Sequence, residues 1–174
     1  MTLDLLLPKE TSVLMEHSYQ QQPICKWDSS LAASAQNVAN DCPESSLGDS
    51  LLGENIYSNY TEFSNALDDM GVETAKMWKS MFKDYKGTSI KMNEATLTSR
   101  TARATQMAWA TTEFIGCGVK KCGSDPFLQV YKFSVVCHYR EKGNILNSNI
   151  YEEGAACSAC PILTLCEADS GLCV

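Results

Sequence analysis

The stretch that decides the fold lies at residues 104–139, ATQMAWATTEFIGCGVKKCGSDPFLQVYKFSVVCHY. Its β-branched and aromatic residues predict three strands, at residues 105–112, 114–120 and 128–139. The last two are joined by Gly-Ser-Asp-Pro at residues 123–126, a composition typical of a turn. Strands connected by so short a turn pair in the antiparallel direction. This half of the chain therefore predicts a small antiparallel sheet.

Helical patterns precede the strands. One begins at Asp28 or Ser29, either of which can cap a helix, and ends near Cys42. Its apolar side chains form one stripe, which consists of Leu31, Ala32, Ala35, Val38 and Ala39. A longer pattern runs from residue 63 to residue 85, where Gly71 is expected to kink or split the helix, and a first helix is predicted at residues 9–20. Helices followed by adjacent strands indicate an α+β domain.

Length, composition and charge exclude several classes of protein. The chain has 174 residues, of which 44% are hydrophobic and 20% charged, and its net charge is -7. One domain is expected from this length. The negative charge disfavours nucleic acid and anionic lipid as partners. No apolar run approaches the ~20 residues that a membrane-spanning helix needs, so membrane insertion is not expected.

The cysteines indicate an oxidising compartment. Nine of them occur in the chain, most in its second half, which favours a disulfide framework in a mature secreted protein whose leader has been removed. Asn59 opens an Asn-Tyr-Thr sequon, a possible glycosylation site. Residues 154–174 have four cysteines and little apolar content, so we expect a disulfide-stapled extension after a domain at residues 1–153.

The sequence suggests two other chemistries. Gly48-Asp49-Ser50-Leu51 resembles the nucleophile block of a hydrolase class, but no Asp-x-x-His supplies the base, because Leu14 and Val135 stand three residues before the two histidines. His17 and His138 are expected to be core or surface residues, and no catalytic residue is assigned. Four tail cysteines are enough for a zinc site, but their spacing favours two disulfides in a secreted chain.

Three groups of motifs carry a family resemblance: Gly-Glu-Asn-Ile-Tyr at residues 53–57; Thr-Gln-Met-Ala-Trp at residues 105–109 with Ile-Gly-Cys-Gly at residues 115–118; and Val-Cys-His-Tyr at residues 136–139 with Gly-Asn at residues 143–144. Together they resemble the CAP superfamily of cysteine-rich secretory proteins, insect venom antigen 5 and plant pathogenesis-related 1 proteins. The resemblance implies a three-layer α-β-α sandwich. The tail is similar to that of single-domain ASP proteins of parasitic nematodes, above all the platelet-inhibitor type of hookworms.

Members of that family place two His and two Glu around a central cleft, a set that suits a divalent metal. Only Glu54 of the four is retained. The other positions fall on Ser46 (or Leu47), on Met81 and on Arg103. Arginine does not ligate cations, so Arg103 is expected to pair with Glu54 or another acid. The resemblance therefore implies a cleft without a metal or other cofactor.

The resemblance implies a secreted parasite protein that is not an enzyme, acts as a monomer on host cells, and antagonises platelet integrins to inhibit platelet adhesion. The alternative is a secreted carrier of sterol or lipid, while a metal-dependent hydrolase is disfavoured by the missing ligands. The loop at residues 43–52 is the candidate receptor contact. Its Leu47-Gly48-Asp49 segment projects a carboxylate, Asp49, that an integrin metal ion can bind.

The resemblance also implies two disulfides, Cys42 with Cys122 and Cys117 with Cys137. The tail cysteines, Cys157, Cys160, Cys166 and Cys173, can then pair among themselves. Cys25 is left over, either free, capped or in place of one tail partner.

Overall fold

The computed structural model of the chain describes residues 25–46, 51–61, 67–85, 90–125 and 127–152; in the tail it describes residues 154–155, 157–158, 160, 162–167 and 172–173. The helix expected at residues 9–20, together with His17, Leu47 and Asp49, lies outside these residues. Within the described part, no helix has the length and apolar character to cross a membrane.

Helices and strands are mixed along the chain. The strands are β1 (Lys26–Trp27), β2 (Gly53–Thr61), β3 (Phe114–Asp125), β4 (Val130–Arg140), β5 (Cys166–Glu167) and β6 (Leu172–Cys173). The helices are α1 (Ser29–Asn40), α2 (Leu67–Ser80), α3 (Glu94–Leu97) and α4 (Ala102–Met107), and a 3-10 turn at Met81–Asp84 extends α2.

The main sheet has the strand order β1-β3-β4-β2. Strands β3 and β4 form an antiparallel hairpin, β2 lies antiparallel to β4, and β1 pairs with β3 in parallel. The two-residue strand β1 and the nine-residue strand β2 were not predicted from the sequence. The sheet is otherwise antiparallel, as the turn-linked strands indicated.

Helices cover both faces of this sheet. On one face α1 packs through Ala35 and Ala39 against Ile56 and Val136. On the other face α2 and α4 pack through Ala75, Trp78 and Met107 against a larger set of strand residues: Ile115, Cys117, Val135, Cys137 and Tyr139. Alternate strand residues point to opposite faces, which produces the two cores. The fold is thus an α-β-α sandwich with an α+β element order, as expected.

The strand predicted at residues 105–112 is wrong, because residues 105–107 belong to α4 and residues 108–112 form turns and irregular backbone. Thr105 N donates to the Thr101 carbonyl at 3.0 Å, a helical hydrogen bond. Thr105, Gln106 and Met107 are all buried. The β preference of threonine mostly reflects fit to a sheet surface, and here packing against α2 and the neighbouring alanines of the helix override it.

Two other features differ from the predictions made from the sequence: the course of the helix at Gly71 and the end of strand β3. Helix α2 runs through Gly71 without interruption and changes to 3-10 geometry only at Met81. Tertiary packing on both sides of Gly71, which is itself buried, outweighs the ~1 kcal/mol that glycine costs in a helix. Strand β3 extends to Asp125, so the hairpin turn falls later than expected, at residues 127–129.

Two disulfides tie the sandwich together. Cys42, just after α1, is bonded to Cys122 of β3. Cys117 is bonded to Cys137, its direct partner in the β3–β4 ladder. The thiol of Cys25 is free and buried, 3.3 Å from the Thr112 carbonyl, and burial raises its pKa to about 12.

The tail has its own framework. Cys157 is bonded to Cys166 and Cys160 to Cys173, and the short strands β5 and β6 pair in a separate two-stranded sheet. Crosslinks rather than an apolar core hold this segment.

Candidate functional site

A cleft opens where the start of β2 meets α3, α4 and the segment after β4. It consists of two adjoining cavities of about 310 and 390 Å³, whose walls share Ser46, Glu54, Leu97 and Asn144. Arg103 lines the larger one. Both volumes lie at the small end of the ~300–1,000 Å³ range of ligand pockets. Because Glu54 and two of the replaced positions meet here, this cleft is the candidate site.

Glu54 binds His138 within the sheet. The antiparallel register of β2 and β4 sets the two residues directly opposite each other. His138 Nε2 lies 3.1 Å from Glu54 Oε2, and the two side chains are 5% and 12% exposed. The Ser46 hydroxyl donates to the other carboxylate oxygen, Oε1, at 2.5 Å. Both oxygens of Glu54 therefore have a donor from the chain itself.

The second ring nitrogen of His138 faces helix α1. Nδ1 lies 3.1 Å from the hydroxyl oxygen of Ser34. An ionised carboxylate only accepts hydrogen bonds, so Nε2 donates to Glu54, and Nδ1 is left for the hydrogen bond with the Ser34 hydroxyl. Ser34 lines neither cavity. The chain of contacts from Ser34 to Ser46 thus fixes Glu54 in the cleft wall, with Ser46 beside it in that wall and Ser34 outside the cleft.

The electrostatics of this network favour an ionised Glu54. The hydrogen bond from His138 has the largest effect on the pKa of Glu54 and lowers it; burial opposes that effect, and the bond from Ser46 lowers the pKa further. The pKa of the carboxyl is therefore below its ordinary value, and Glu54 carries a negative charge at neutral pH.

Arg103 does not pair with Glu54, which corrects the expectation from the sequence. Its Nε donates to the backbone carbonyl of Ile56 at 3.1 Å. The carboxylate of Glu54 is hydrogen-bonded to His138 instead. The backbone carbonyl of Arg103 accepts from Asn55 Nδ2 at 3.1 Å. Arg103 thus fastens α4 to strand β2 from the side of the cleft.

Met81 lies away from the cleft lining. It is half-buried and packs against the core around Trp78, whereas the residues that line the two cavities do not include it. A thioether in an apolar core offers no practical ligand at the cleft.

The residues present do not suit a divalent metal. Among the described residues, no three His, Cys, Asp or Glu side chains converge to form a metal-binding group. Glu54 and His138 are bonded to each other, and the nearby Arg103 is a cation. A cleft without a metal accordingly stays our prediction.

The sequence analysis placed His138 correctly as a core or surface histidine, since its side chain is buried. It did not predict the bond to Glu54, because strand β2 was not predicted and the partner strand of β4 was unknown. The available signal was the alternation within β4, which puts His138 on the same face as Val136 and therefore on the side of α1.

A comparison with known families matches residues 18–139 to the model described as "CAP: Cysteine-rich secretory protein family". The chain belongs to the CAP family. Among its relatives, venom allergen 5 of Rhynchium brunneum is 33% identical over 131 residues, which are 72% of this chain and 55% of that protein. Human cysteine-rich secretory protein 3 is 30% identical over 158 residues, 85% of this chain and 57% of that protein. The chain spans somewhat more than half the length of these relatives.

Solved structures of other CAP proteins share the fold. Na-ASP-1 superposes with a TM-score of 0.80 at 26% identity, covering 97% of this chain and 45% of that one. A crystal structure of NaASP2 with Zn2+ gives 0.79 at 24%, with 97% and 90% covered. The hookworm platelet inhibitor gives 0.73 at 21%, with 97% and 87% covered. The last two likenesses, below 25% identity, establish the fold alone.

In this CAP protein hydrogen bonds that are buried or partly buried hold the family motifs together. The Thr105 hydroxyl donates to Asn144 Oδ1 at 2.7 Å, and Asn144 Nδ2 donates to the Ala102 carbonyl at 2.7 Å. Gly143 N donates to Gln106 Oε1 at 3.0 Å. The Thr-Gln and Gly-Asn motifs therefore pin the segment after β4 to α4 and shape one wall of the cleft.

Asn59 lies half-buried in β2, where its Oδ1 accepts from Tyr60 N at 2.8 Å. Strand β2 is at the edge of the sheet. Glycosylation at Asn59 stays a prediction.

Replacing Glu54 by glutamine should remove a pH-dependent part of the stability. The folded-state pKa of Glu54 is lowered, so its contribution is present above the unfolded pKa near 4.5 and is lost as pH falls through the folded pKa. We expect Glu54→Gln to lower the free energy of unfolding by about 2 kcal/mol near pH 7 and by much less near about pH 3. Urea unfolding at several pH values measures this.

The matched control is Glu141→Gln, at an exposed carboxyl beyond β4. The free energy of unfolding of this variant, plotted against pH, should run parallel to that of the wild type across the same range. A Glu54→Gln curve that is also parallel would contradict the assigned pairing with His138.

Proposed function

We propose that this CAP protein works outside the cell as a non-enzymatic ligand of a host cell-surface receptor, and that the receptor is a platelet integrin. The observation that carries the proposal is the state of the cleft acid. Both oxygens of Glu54 accept hydrogen bonds from His138 and Ser46. Hydrogen bonds to both oxygens stabilise the ionised carboxylate and lower its pKa, which makes it a weaker base. The proposal therefore assigns activity to the outer surfaces of the fold.

The disulfide framework supports an extracellular setting. Four disulfides link eight of the nine cysteines, a density found in secreted domains and rare in reducing compartments. The relatives named above include secretory proteins and a venom allergen.

The choice of receptor rests on resemblance. The tail is the feature in which this chain resembles the platelet-inhibitor type, and the hookworm platelet inhibitor has the same fold. A folded, monomeric, crosslinked scaffold suits an antagonist because little conformational entropy is lost on binding. Inhibition would follow from occupancy of the receptor, with no chemical turnover.

We propose that the carboxylate of Asp49 is a ligand of a metal ion in the integrin. Asp49→Ala should abolish binding of the refolded protein to purified platelet integrin ectodomain, because an uncharged methyl group supplies no oxygen ligand. Surface plasmon resonance at constant divalent cation concentration measures the effect. Asp41→Ala, at an exposed carboxylate after α1, is the control and should bind like the wild type.

Two outcomes would contradict this proposal at different levels. Unchanged affinity of Asp49→Ala would remove that residue as the contact. A wild-type protein that does not bind any platelet integrin, with its disulfides verified, would reject the receptor class.

Sterol or lipid carriage is the alternative function. A cavity of about 270 Å³ lies between β2 and α2, lined by Tyr57, Asn59, Met70, Glu73, Thr74 and Met77. It is below the usual size of ligand pockets, and a carboxylate in its wall disfavours an apolar occupant. A sterol-binding assay on the same preparation should therefore be negative.

A further inference from the structure

Three aliphatic side chains are almost wholly exposed in the tail. Ile162, Leu163 and Leu165 are 93%, 98% and 75% exposed, and they lie within four consecutive positions between Cys160 and Cys166. We call residues 160–166 the tail loop. Isolated exposed aliphatic residues are ordinary on protein surfaces, but a contiguous group of this kind marks an interaction site.

The tail loop is crosslinked at both ends. Cys160 is bonded to Cys173 and Cys166 to Cys157, and Cys166 also pairs with Cys173 in the β5–β6 ladder. A loop that is fixed before binding loses less conformational entropy on association. The three side chains are thus presented on a rigid support.

Leu163 has a backbone conformation that bulky residues seldom adopt. Its φ is +76°, in the left-handed region, where a leucine is disfavoured relative to glycine. The fold keeps leucine there although its side chain is in solvent. Strain at an exposed apolar residue is a reason to look for a role in binding.

The sequence that contains the tail loop has charges of one sign. From residue 143 to the end of the sequence the chain has no Lys or Arg, and its acidic residues are Glu152, Glu153, Glu167 and Asp169. Negative charges repel lipid phosphates and attract basic side chains. The chemistry around the loop therefore complements a basic protein surface better than a membrane surface.

We propose that the tail loop is a docking surface for a protein partner that offers an apolar pocket rimmed by Lys or Arg. Ile162, Leu163 and Leu165 enter the pocket, and the negative charge of the tail complements the charge of its rim. The inference rests on the proposed function in one respect, since the partner is taken to be the host receptor. It adds a second contact to the one assigned to Asp49.

The test compares binding of fluorescently labelled protein to washed platelets. Ile162→Ser/Leu163→Gly/Leu165→Ser removes the aliphatic groups, and glycine at residue 163 keeps the left-handed backbone. Truncation of buried anchor residues typically weakens binding about tenfold each, so we expect a loss of about 1,000-fold for the triple variant. Leu163→Gly alone should lose about tenfold and guards against misfolding of the triple variant.

The control is Phe127→Ser/Leu128→Ser at the tip of the β3–β4 hairpin, where the two residues are 94% and 70% exposed. It removes a comparable apolar area elsewhere and should bind like the wild type. Equal losses in the control and the triple variant would overturn the assignment to the tail loop. Peptide mapping verifies the four disulfides in every preparation.

The remaining outcomes separate the two proposals. Saturable wild-type binding that the triple variant retains would overturn the tail loop and leave the receptor function standing. Absence of saturable wild-type binding would overturn both. If the wild type binds phosphatidylcholine vesicles and the triple variant does not, the partner is lipid and not protein. If the affinity for platelets does not fall with added salt, the partner has no basic rim.

Discussion

Gly116→Ala should destabilise the domain by about 3 kcal/mol or more, at the upper end of the cost of overpacking a core. A Cβ at this position would lie 2.1 Å from Ala32 N and 2.7 Å from the Asp28 carbonyl oxygen. Both are backbone atoms at the start of α1, so no side-chain rotation relieves the clash. Helix α1 would have to move away from the sheet.

The same displacement would reach the cleft. Helix α1 carries Ser34, whose hydroxyl contacts His138, and His138 in turn holds Glu54. Urea denaturation measures the loss of stability, and a protein that refolds only in part would be the extreme result. The positioning of the cleft acid thus depends on a glycine on a neighbouring strand.

Gly123→Ala is the matched control in the same strand. A Cβ there meets nothing within 4 Å, but the φ of +137° disfavours alanine. Only the backbone cost of about 1 kcal/mol is expected. Equal losses at the two glycines would show that α1 does not pack on β3 as closely as the structure has it.

Removal of the Cys42–Cys122 disulfide should cost about 4 kcal/mol. The bond joins the end of α1 to β3 across a sequence separation of 80 residues, and the entropy gained by an unfolded chain on release rises with loop length. Cys42→Ser/Cys122→Ser should therefore unfold at a much lower urea concentration. Non-reducing peptide mapping confirms that the other pairs are intact.

Removal of a tail disulfide is the matched comparison. Cys157→Ser/Cys166→Ser opens a loop with a separation of 9 residues in a segment whose strands pair only with each other among the described elements. The main unfolding transition should not shift, because this crosslink holds the extension and not the sandwich. A shift as large as that of the first variant would reject the division into residues 1–153 and 154–174.

Local patterns in the sequence predicted the elements that depend on local interactions. The apolar stripe and the cap of α1 are sequence-local, and Asp28, one of the two caps considered, accepts from Ser30 N and Leu31 N. Strands β3 and β4 were recognisable from composition and a short connection. Each of these signals arises within about one element of the chain.

The errors fall where tertiary contacts outweigh local preference. Residues 105–107 have strand-like composition but are fully buried in a helix. The motif at residues 53–57 was recognised as a family feature, yet its strand conformation became evident only from pairing with β4. Strand pairing is non-local, so composition alone does not specify it.

By itself the sequence determined the family and the α+β class, because both are a matter of residue type and order, and the family resemblance implied the two disulfides of the sandwich. Only the tertiary structure decided the partner of the cleft acid. Glu54 and His138 are separated by 84 positions and meet because the β2–β4 register sets them opposite each other. A shift of one residue would turn either side chain to the other face of the sheet, and that register is fixed by packing of the whole sandwich.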